Sequence, residues 1–230
     1  MKRVGHKGAD LVAPGNTVPS FEAALEHGVD MIEFDVLRLA DGRLVLAHDL
    51  EDAAGREPLT LDDGLDHFAG EAYANVELDV DMKIRGYERE VAEGLVTRGL
   101  AERSLVSSHY LDSLDEVGRL APQIRRGLSV PRVRRDYTKT PLAVPALAIA
   151  RVMRARLPYK VRPLLQSGRI HAVMAHWLLV SRRLVDVAHA EGGEVYVWTV
   201  DDARRIERLR ELGVHAVISN DPRLFATPAS

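Results

Sequence analysis

The segment Ile32-Glu33-Phe34-Asp35-Val36 alternates apolar and acidic side chains. Alternate residues of a β-strand point to the same face, so the two carboxylates are predicted to project together while the apolar residues pack on the other side. In a β/α barrel one of these faces lines the interior, where paired acids are costly unless they bind a cation or are neutralised. The segment therefore predicts a strand that carries a polar site.

Short apolar runs alternate with helical patterns on both sides of this segment, which is typical of successive βα units. The predicted strands are residues 3–6, 31–37, 75–79, 104–107, 126–129, 172–174, 194–199 and 216–219. The predicted helices are residues 18–26, 88–98, 111–120, 146–157, 182–190 and 202–212. Eight strands in 230 residues predict an α/β fold, a single TIM (β/α)8 barrel domain over residues 1–230, with its site at the C-terminal ends of the strands.

The composition limits the chemistry that the chain can perform. It has no cysteine, which excludes disulfides, thiolate metal sites and cysteine nucleophiles. Aromatic residues make up only 5% of the chain, so the core is predicted to be aliphatic. No apolar signal segment precedes the first predicted strand, and no stretch is long and apolar enough to span a membrane. We therefore expect a cytoplasmic protein.

One region is strongly basic, although the formal net charge of the chain is only −3. Residues 125–162 contain eleven Lys and Arg and a single acid, Asp136, which gives a local charge of about +10. The region is interrupted by four prolines, Pro131, Pro141, Pro145 and Pro158. A basic, irregular segment is therefore predicted at about 131–163, either as a lid or crossover with a solvated face, or as a contact with a membrane surface or phosphate polymers. Nucleic acid is not expected, because interleaved aromatic residues are nearly absent.

A second alternating acidic segment supplies a candidate for a third cation ligand. Glu77 and Asp79 lie at alternate positions of the predicted strand 75–79, the next one along the chain. Neighbouring parallel strands lie about 4.8 Å apart, so their C-terminal ends can share one ion. Glu33, Asp35 and Glu77 together predict a site for a hard divalent cation, Mg²⁺ or Ca²⁺ rather than zinc. The alternative is that these acids pair with Arg or Lys at the barrel rim.

Two histidines accompany this predicted cation site. His6 ends the first predicted strand and is followed by Lys7, and His48 is followed by Asp49, which can orient its ring. Two imidazoles beside a divalent cation suit a base and an acid for phosphoryl transfer. Lys7 could contact a non-bridging phosphate oxygen.

Five short motifs follow one another in the N-terminal part of the chain. They are His6-Lys7-Gly8, Pro14-Gly15-Asn16-Thr17, Glu33-Phe34-Asp35-Val36, Asp41-Gly42 and His48-Asp49. In this order they resemble the glycerophosphodiester phosphodiesterase family, whose members adopt a TIM barrel. Later segments resemble the family's remaining signatures, at Val76-Glu77-Leu78, Val106-Ser107-Ser108, Val197-Trp198-Thr199-Val200 and Ser219-Asn220-Asp221-Pro222. The resemblance covers nearly the whole chain, and its N-terminal set is the most specific part.

The resemblance implies a role for each matching residue. It places the two catalytic histidines at His6 and His48 and the metal ligands at Glu33, Asp35 and Glu77. The implied mechanism is attack on phosphorus by the glycerol hydroxyl of the substrate, giving a cyclic phosphate that water then opens. One histidine deprotonates the attacking hydroxyl and the other protonates the leaving alcohol, and the sequence does not distinguish them.

Lys7 and Gly15 depart from the family pattern, which has arginine and glutamate at these positions. Lysine keeps the positive charge but lacks the bidentate fork, so the phosphate could be held less firmly. If the family's glutamate pairs with its arginine, the two departures compensate each other.

Asp79 is a third departure, because many members carry a phosphate-binding lysine two residues after the metal glutamate. Asp79 would repel phosphate or add a metal ligand, and Lys83 could supply the missing positive charge. Two further side chains are expected to line the pocket. Trp198 could form an apolar wall for the glycerol group, and His109 stands where the family often has phenylalanine.

The sequence therefore predicts metal-dependent hydrolysis of small-molecule glycerophosphodiesters to glycerol phosphate and an alcohol. One alternative keeps the fold but takes a lysophospholipid from a membrane, which the basic segment would favour. Another is a barrel that binds a phosphorylated ligand without turnover, because Lys7, Gly15 and Asp79 have weakened the site. The head group, the choice between Mg²⁺ and Ca²⁺ and the oligomeric state stay open.

Overall fold

The computed structural model describes residues 1–132 and 143–225, apart from the side chains of residues 143–146. The strands in these residues are β1 (Lys2–Gly5), β2 (Met31–Arg38), β3 (Leu44–Leu46), β4 (Glu77–Met82), β5 (Ser104–Ser108), β6 (Arg125–Val130), β7 (Ala172–His176), β8 (Glu194–Trp198) and β9 (Ala216–Ser219). Each of the eight strands predicted from the sequence overlaps one of them.

Eight of these strands form a closed parallel barrel. They pair in the order β1-β2-β4-β5-β6-β7-β8-β9, and β9 pairs with β1 to complete the ring. The remaining strand, β3, is antiparallel and pairs with the C-terminal part of β2, from Val36 to Arg38. The predicted TIM (β/α)8 barrel is therefore confirmed.

Helices connect the barrel strands. They are α1 (Val18–Glu26), α2 (Leu50–Ala54), α3 (Leu61–Phe68), α4 (Glu88–Thr97), α5 (Leu111–Leu120), α6 (Ala143–Gln166), α7 (Arg182–Ala190) and α8 (Ala203–Leu212). The bounds of α1, α5 and α7 are those predicted, and α4 and α8 each differ from the prediction by one residue at one end. The short helices α2 and α3 have no counterpart among the predicted ones.

Side chains of the barrel strands alternate between the helices and the barrel interior. Ile32, Phe34 and other outward-facing residues of β2 belong to the apolar core between the sheet and the helices. Met31 belongs to a smaller apolar cluster that contains residues of five barrel strands besides its own and fills the interior. Glu33 and Asp35 are on the same face as Met31 and therefore point inward, as the alternation in the sequence predicts.

Strand β4 lies further along the chain than the sequence predicts, so different acids lie level with Glu33 and Asp35. The strand runs from Glu77 to Met82, whereas the sequence predicts 75–79. Its parallel pairing with β2 sets three acids against three β2 residues: Glu77 against Met31, Asp79 against Glu33, and Asp81 against Asp35. The last of these pairs lies nearest the C-terminal end of the barrel.

A hairpin after β2 carries His48 to that end of the barrel. Gly42 has a φ of 91°, and Asp41 Oδ1 accepts the backbone N–H of Arg43 at 3.0 Å, so a tight turn at Asp41-Gly42 connects β2 to β3. β3 then runs back along β2. His48 follows β3 and stands directly before Asp49, the N-cap of α2.

The region predicted to be basic and irregular is largely helical where the structure describes it. α6 extends from Ala143 to Gln166, with Pro145 in its first turn and Pro158 and Pro163 in its interior, and so includes the predicted helix 146–157. Asp136 and Pro141 lie outside the described residues. Within the described ranges, none of the helices combines the length and apolarity needed to cross a bilayer.

Candidate active site

A cavity of about 180 Å³ opens at the C-terminal ends of the barrel strands. Its lining includes seven residues singled out from the sequence: His6, Glu33, His48, Asp79, Lys83, His109 and Trp198. Asp81 also lines it. The structure thus gathers most of the candidate residues at the end of the barrel where enzymes of this fold carry their active sites.

Three carboxylates from β2 and β4 lie together beside this cavity. One oxygen from each of Glu33, Asp35 and Asp81 lies within 4.8 Å of the other two. Glu33 and Asp35 share a strand, and Asp81 lies opposite Asp35 on the neighbouring strand. Carboxylate oxygens at this spacing can ligate one hard divalent cation.

The loop between β1 and α1 orients two of these carboxylates. Glu33 Oε2 accepts the backbone N–H of Lys7 at 2.7 Å. The side-chain amide of buried Asn16 donates to Asp35 Oδ2 at 2.8 Å and accepts the backbone N–H of Asp35 at 3.0 Å. Lys7 and Asn16 both adopt left-handed backbone, with φ of 51° and 58°. Such conformations are uncommon outside glycine and cluster at functional sites.

Lys83 neutralises part of this acidic cluster. Its ammonium lies 2.5 Å from carboxylate oxygens of both Asp35 and Asp81. Burial opposes the charge on Lys83, but Asp35 and Asp81 outweigh burial and raise the pKa of Lys83 well above its usual value. Burial also opposes ionisation of Asp35, but the positive charge of Lys83 favours it more strongly. The pKa of Asp35 therefore lies below its usual value.

Two further carboxyl groups at the site hold protons more tightly than usual. Burial, followed by the charge of Asp35, raises the pKa of Glu33 well above its usual value. Burial raises the pKa of Asp79 to about 8. The site therefore holds four carboxyl groups and the ammonium of Lys83. The four acids are Glu33, Asp35, Asp79 and Asp81. Their charge is balanced only when some of them are protonated or when another cation is bound.

The donor set fits a divalent cation. Asp81 Oδ1 is buried and has no hydrogen-bond partner among the residues that the structure describes. Buried polar atoms normally have a partner, so this oxygen is suited to a ligand. Carboxylates without nitrogen or sulfur donors match the preferences of Mg²⁺ and Ca²⁺. A cation held by Glu33, Asp35 and Asp81 would also offset the excess of acid groups.

His6 follows β1, and its ring is held in one orientation. His6 Nδ1 lies 2.6 Å from Asn220 Oδ1. The amide nitrogen of Asn220 donates to Asp201 at 2.6 Å, so the amide oxygen faces His6 and Nδ1 is the protonated nitrogen of the neutral ring. Nε2 is then an acceptor, 3.8 Å from Glu33 Oε2. Burial lowers the pKa of His6, which favours this neutral form.

His48 reaches the cavity from the connection between β3 and α2. Its Nδ1 lies 3.0 Å from Asp49 Oδ2. Asp49 is itself fixed, because its other oxygen accepts the backbone N–H groups of Glu51 and Asp52 at the start of α2. A helix cap therefore orients the His48 ring.

Lys7 lines a second cavity, which shares His48 with the first. The ammonium of Lys7 lies 3.4 Å from Asp10 Oδ2, and Asp10 Oδ1 accepts the backbone N–H of Gly15 at 2.9 Å. A Cβ added at Gly15 would lie 2.5 Å from Asp10 Oδ1. Asp10 therefore occupies the space that a glutamate at position 15 would need, and it supplies the carboxylate partner of Lys7.

His109 and Trp198 form fixed parts of the cavity wall. His109 Nδ1 lies 2.9 Å from the carbonyl oxygen of Ser129, to which it donates. Trp198 Nε1 donates to the carbonyl oxygen of Met174 at 2.8 Å. Each ring is thus anchored by its polar atom to a neighbouring strand, β6 for His109 and β7 for Trp198, while the ring also lines the cavity.

Comparison with known proteins identifies the family. The chain matches the model of the glycerophosphoryl diester phosphodiesterase family over residues 6–59 and 58–224. The chain belongs to this family. A glycerophosphodiester phosphodiesterase of Caldanaerobacter subterraneus is 26% identical, with the alignment covering 95% of this chain and 93% of that protein. A human lysophospholipase D is 22% identical over 96% of this chain and 83% of that protein.

Solved structures of phosphodiesterases share the fold. A glycerophosphodiester phosphodiesterase from Parabacteroides distasonis superposes with a TM-score of 0.74 at 20% identity, covering 98% of this chain and 97% of that one. An Oleispira antarctica phosphodiesterase in complex with the product sn-glycerol-3-phosphate superposes with a TM-score of 0.71 at 19% identity, covering 99% and 97%. With the family match, these relatives make the chain an enzyme of the phosphoric diester hydrolase class.

Glu77, the third metal ligand implied by the resemblance to the phosphodiesterase family, is not brought to Glu33 and Asp35. It begins β4 at the opposite end of the barrel, where its carboxylate accepts from Lys2 at 2.6 Å and from Arg125. Asp81 is on the same face of the strand four residues further on, at the level of Asp35. The strand register therefore places Asp81, and not Glu77, beside Glu33 and Asp35.

The same register bears on one of the departures from the phosphodiesterase pattern. The family's phosphate-binding lysine is expected two residues after the metal acid, and Lys83 stands two residues after Asp81. Asp79 lies one level deeper in the barrel, beside Glu33, and does not take the place of that lysine.

The sequence interpretation missed four residues that support the site: Asp81, Asn16, Asn220 and Asp10. A signal for Asp81 was available in its spacing to Lys83. Asn16 and Asn220 stand inside motifs that match the phosphodiesterase family, although their partners follow only from the folded loops. Asp10 has no comparable signal, because its pairing with Lys7 depends on the path of a loop.

Proposed function

We propose that the chain hydrolyses glycerophosphodiesters to glycerol phosphate and an alcohol, using His6, His48 and a divalent cation held by Glu33, Asp35 and Asp81. The observation that supports this most directly is that the carboxylate cluster adjoins a cavity lined by both histidines. Membership of the phosphodiesterase family and the product bound to the Oleispira relative support the substrate class.

The cation, when bound, supplies positive charge that stabilises the charge developing on the phosphate oxygens. The loop at Lys7 and the amide of Asn16 hold Glu33 and Asp35 ready for it. Lys83 lines the cavity and provides a second positive group for the phosphate. Lys7 lies in the neighbouring cavity, from which its ammonium can reach a non-bridging oxygen near His48.

We assign the base to His6 and the acid to His48. Asn220 accepts from Nδ1 of His6 and leaves the lone pair of Nε2 free to take the proton of the attacking glycerol hydroxyl. Asp49 beside Nδ1 of His48 can stabilise an imidazolium, which gives its Nε2 proton to the departing alcohol oxygen. The hydroxyl oxygen forms a new bond to phosphorus as the alcohol leaves. Water then opens the resulting cyclic phosphate, with the two roles exchanged.

A binding protein without turnover is less well supported by the geometry. Lys7 keeps a carboxylate partner in Asp10, and Gly15 leaves room for that pair. Lys83 has the spacing expected of the phosphate-binding lysine. The departures that suggested a weakened site are therefore compensated within the fold.

A lysophospholipid is the second candidate substrate. A human lysophospholipase D is among the relatives of the chain, and the basic helix α6 starts at the end of the barrel that carries the cavity. Lysolipids contain the same phosphodiester linked to glycerol, so the chemistry would not change. Turnover of lysolipid in vesicles without turnover of glycerophosphocholine would favour this substrate.

Release of glycerol phosphate from glycerophosphocholine tests the main proposal. His6→Ala and His48→Ala are each expected to lower kcat by about 10²- to 10⁴-fold while the unfolding temperature stays near that of the wild type. His27→Ala is the matched control, because His27 is exposed at the C-cap of α1, away from the cavity, and it should keep full activity. Near-normal turnover in either cavity variant would contradict the acid/base assignment.

A further inference from the structure

Helix α6 is much longer than the barrel requires. It has 24 residues, whereas α7, its neighbour, has 9. At 1.5 Å per residue α6 is about 36 Å long and α7 about 14 Å. The C-terminal part of α6 packs on the barrel through buried Leu157, Val161 and Leu165. Residues 147–156, which we call the projecting half of α6, are exposed apart from half-buried Ala150.

The projecting half lies at the active-site end of the molecule. α6 follows β6 and leads to β7, so it runs antiparallel to the barrel strands and starts beyond their C-terminal ends. It also contacts the turn Trp177–Leu179, which follows β7 at that same end. The projecting half therefore extends past the rim on the side where the cavity opens.

One side of α6 combines exposed apolar and basic groups. Ile149 and Tyr159 are each 61% exposed and Val152 is 51% exposed. Arg156 and Lys160 are exposed at positions three to four residues from these, so all five lie on the side opposite the buried residues of the helix. Apolar side chains that can enter the head-group layer and basic ones that can contact lipid phosphates are the two groups with which a helix binds a membrane interface.

The chain that forms and surrounds α6 is rich in basic residues, although Glu191 after α7 pairs with Arg162 of α6 at 2.7 Å. No Asp or Glu occurs between residues 137 and 185, whereas nine Lys and Arg do. Arg183 of α7 stacks on the ring of Tyr159, with 4.2 Å between its guanidinium carbon and the ring centroid. Arg183 therefore extends the basic surface from α6 to α7, which complements an anionic surface rather than a neutral one.

We propose that the outward side of α6, formed by Ile149, Val152, Arg156, Tyr159 and Lys160, docks the enzyme on an anionic lipid bilayer. The apolar side chains enter the head-group layer and the basic ones face lipid phosphates. Because α6 runs antiparallel to the barrel strands, docking along its length places the rim of the barrel, and with it the opening of the cavity, beside the lipid surface. The relevance of this orientation to catalysis rests on the proposed function, which assigns cleavage of a phosphodiester to the cavity.

Flotation with vesicles tests the docking surface without requiring turnover. The wild type is expected to bind vesicles of phosphatidylcholine mixed with phosphatidylglycerol, to bind phosphatidylcholine vesicles poorly, and to be released by salt. Arg156→Gln/Lys160→Gln should weaken binding to the mixed vesicles by about tenfold or more. Ile149→Ser/Val152→Ser should weaken it too, since it removes the inserted groups. Arg204→Gln/Arg208→Gln, on exposed positions of α8, makes the same charge change and should bind like the wild type.

Three outcomes would overturn the proposal. Equal binding by the two α6 variants and the wild type, or no binding of the wild type to the anionic vesicles, would show that α6 does not dock on lipid. A wild-type dimer that Ile149→Ser/Val152→Ser dissociates, without vesicle binding, would assign the surface to a second copy of the chain.

All four proteins should hydrolyse dissolved glycerophosphocholine equally. Absence of that activity together with normal flotation would count against the proposed function and not against the docking surface.

Discussion

Asp81 lies directly opposite Asp35 in the paired strands β2 and β4, and the ammonium of Lys83 lies 2.5 Å from both carboxylates. The two acids come from different strands, so their proximity depends on the register of the barrel. Lys83 holds them together by its charge. The pair defines the level of the barrel at which we expect a cation to bind.

Replacing Asp81 and Glu77 by their amides, one at a time, should separate the effect on cation affinity from the effect on the free energy of unfolding. Asp81→Asn removes a proposed ligand, and we expect Mg²⁺ or Ca²⁺ to bind at least about 100-fold more weakly, since loss of a merely supporting residue already costs 10- to 100-fold. Calorimetric titration of the purified protein with each cation measures this change.

Glu77→Gln is the matched control for Asp81→Asn. It should leave cation affinity unchanged, because Glu77 pairs with Lys2 and Arg125 at the opposite end of the barrel. It should lower the free energy of unfolding by about 1 kcal/mol, as expected for loss of one partner in a partly exposed ion-pair network. If Glu77→Gln instead weakened cation binding as strongly as Asp81→Asn, the proposed ligand set would be wrong.

Alanine at Gly15 should be costly, whereas alanine at Gly55 should not. A Cβ at Gly15 would lie 2.5 Å from Asp10 Oδ1 and 2.8 Å from Lys7 Cβ, whereas the nearest atom to a Cβ at Gly55 is 3.5 Å away. We expect Gly15→Ala to destabilise the protein by about 1–3 kcal/mol and Gly55→Ala to be neutral or stabilising by up to about 1 kcal/mol. Urea unfolding of both variants compares them.

Removing Asp10 should rescue the Gly15 variant, because Asp10 is the group that a new Cβ meets first. Asp10→Ala/Gly15→Ala is therefore expected to be more stable than Gly15→Ala alone. Additive losses in the double variant would mean that the contact between positions 10 and 15 is not the source of the strain.

Two histidines at the N-terminal end of the barrel should make the fold sensitive to acid. His171 Nδ1 accepts the backbone N–H of Arg126 at 3.1 Å, and His215 Nδ1 accepts that of Val195 at 3.2 Å. Burial lowers the pKa of both rings. At His171 the charges of Arg126 and Arg125 lower the pKa further. At His215 the charge of Glu194 partly offsets the effect of burial. As the pH falls below about 6.5, the unfolded chain binds protons that the folded chain does not, so the free energy of unfolding falls until the lowered folded-state pKa values are reached.

The variant His171→Asn/His215→Asn tests this origin of the acid sensitivity. Asparagine offers an oxygen acceptor close to the place of Nδ1 but does not titrate. The unfolding temperature of the double variant should therefore fall less than that of the wild type between about pH 7 and pH 5. His27→Asn changes an exposed histidine and should keep the wild-type slope. Identical slopes in all three proteins would assign the acid sensitivity to other groups.

Elements with clear local signals could be predicted from the sequence. α1 starts after Thr17, whose hydroxyl accepts the N–H of Ser20, and α8 ends at Leu212, directly before Gly213, which has a φ of 84°. Such caps are set by residues next to one another in the chain, so they are visible without the fold. The inward direction of Glu33 and Asp35 likewise follows from alternation along a single strand.

Features that depend on packing could not be predicted in the same way. α3 contains Gly64, which weakens a helical pattern but lets Leu46 approach: an added Cβ would lie 2.7 Å from Leu46 Cδ2. In β4 the acids at 77, 79 and 81 have the same alternation, so the pattern alone does not say which of them lies level with Asp35. The pairing of β2 with β4 decides this, and that pairing is a property of the closed barrel.

Dependence on a divalent cation tests the central claim most directly. The measurement is release of glycerol phosphate from glycerophosphocholine by the purified protein after chelation, and again after addition of Mg²⁺ or Ca²⁺. We expect chelation to abolish turnover and one of the two cations to restore it in the wild type but not in Asp81→Asn. Full turnover in the presence of chelator, or equal restoration in Asp81→Asn, would contradict a cation held by Glu33, Asp35 and Asp81.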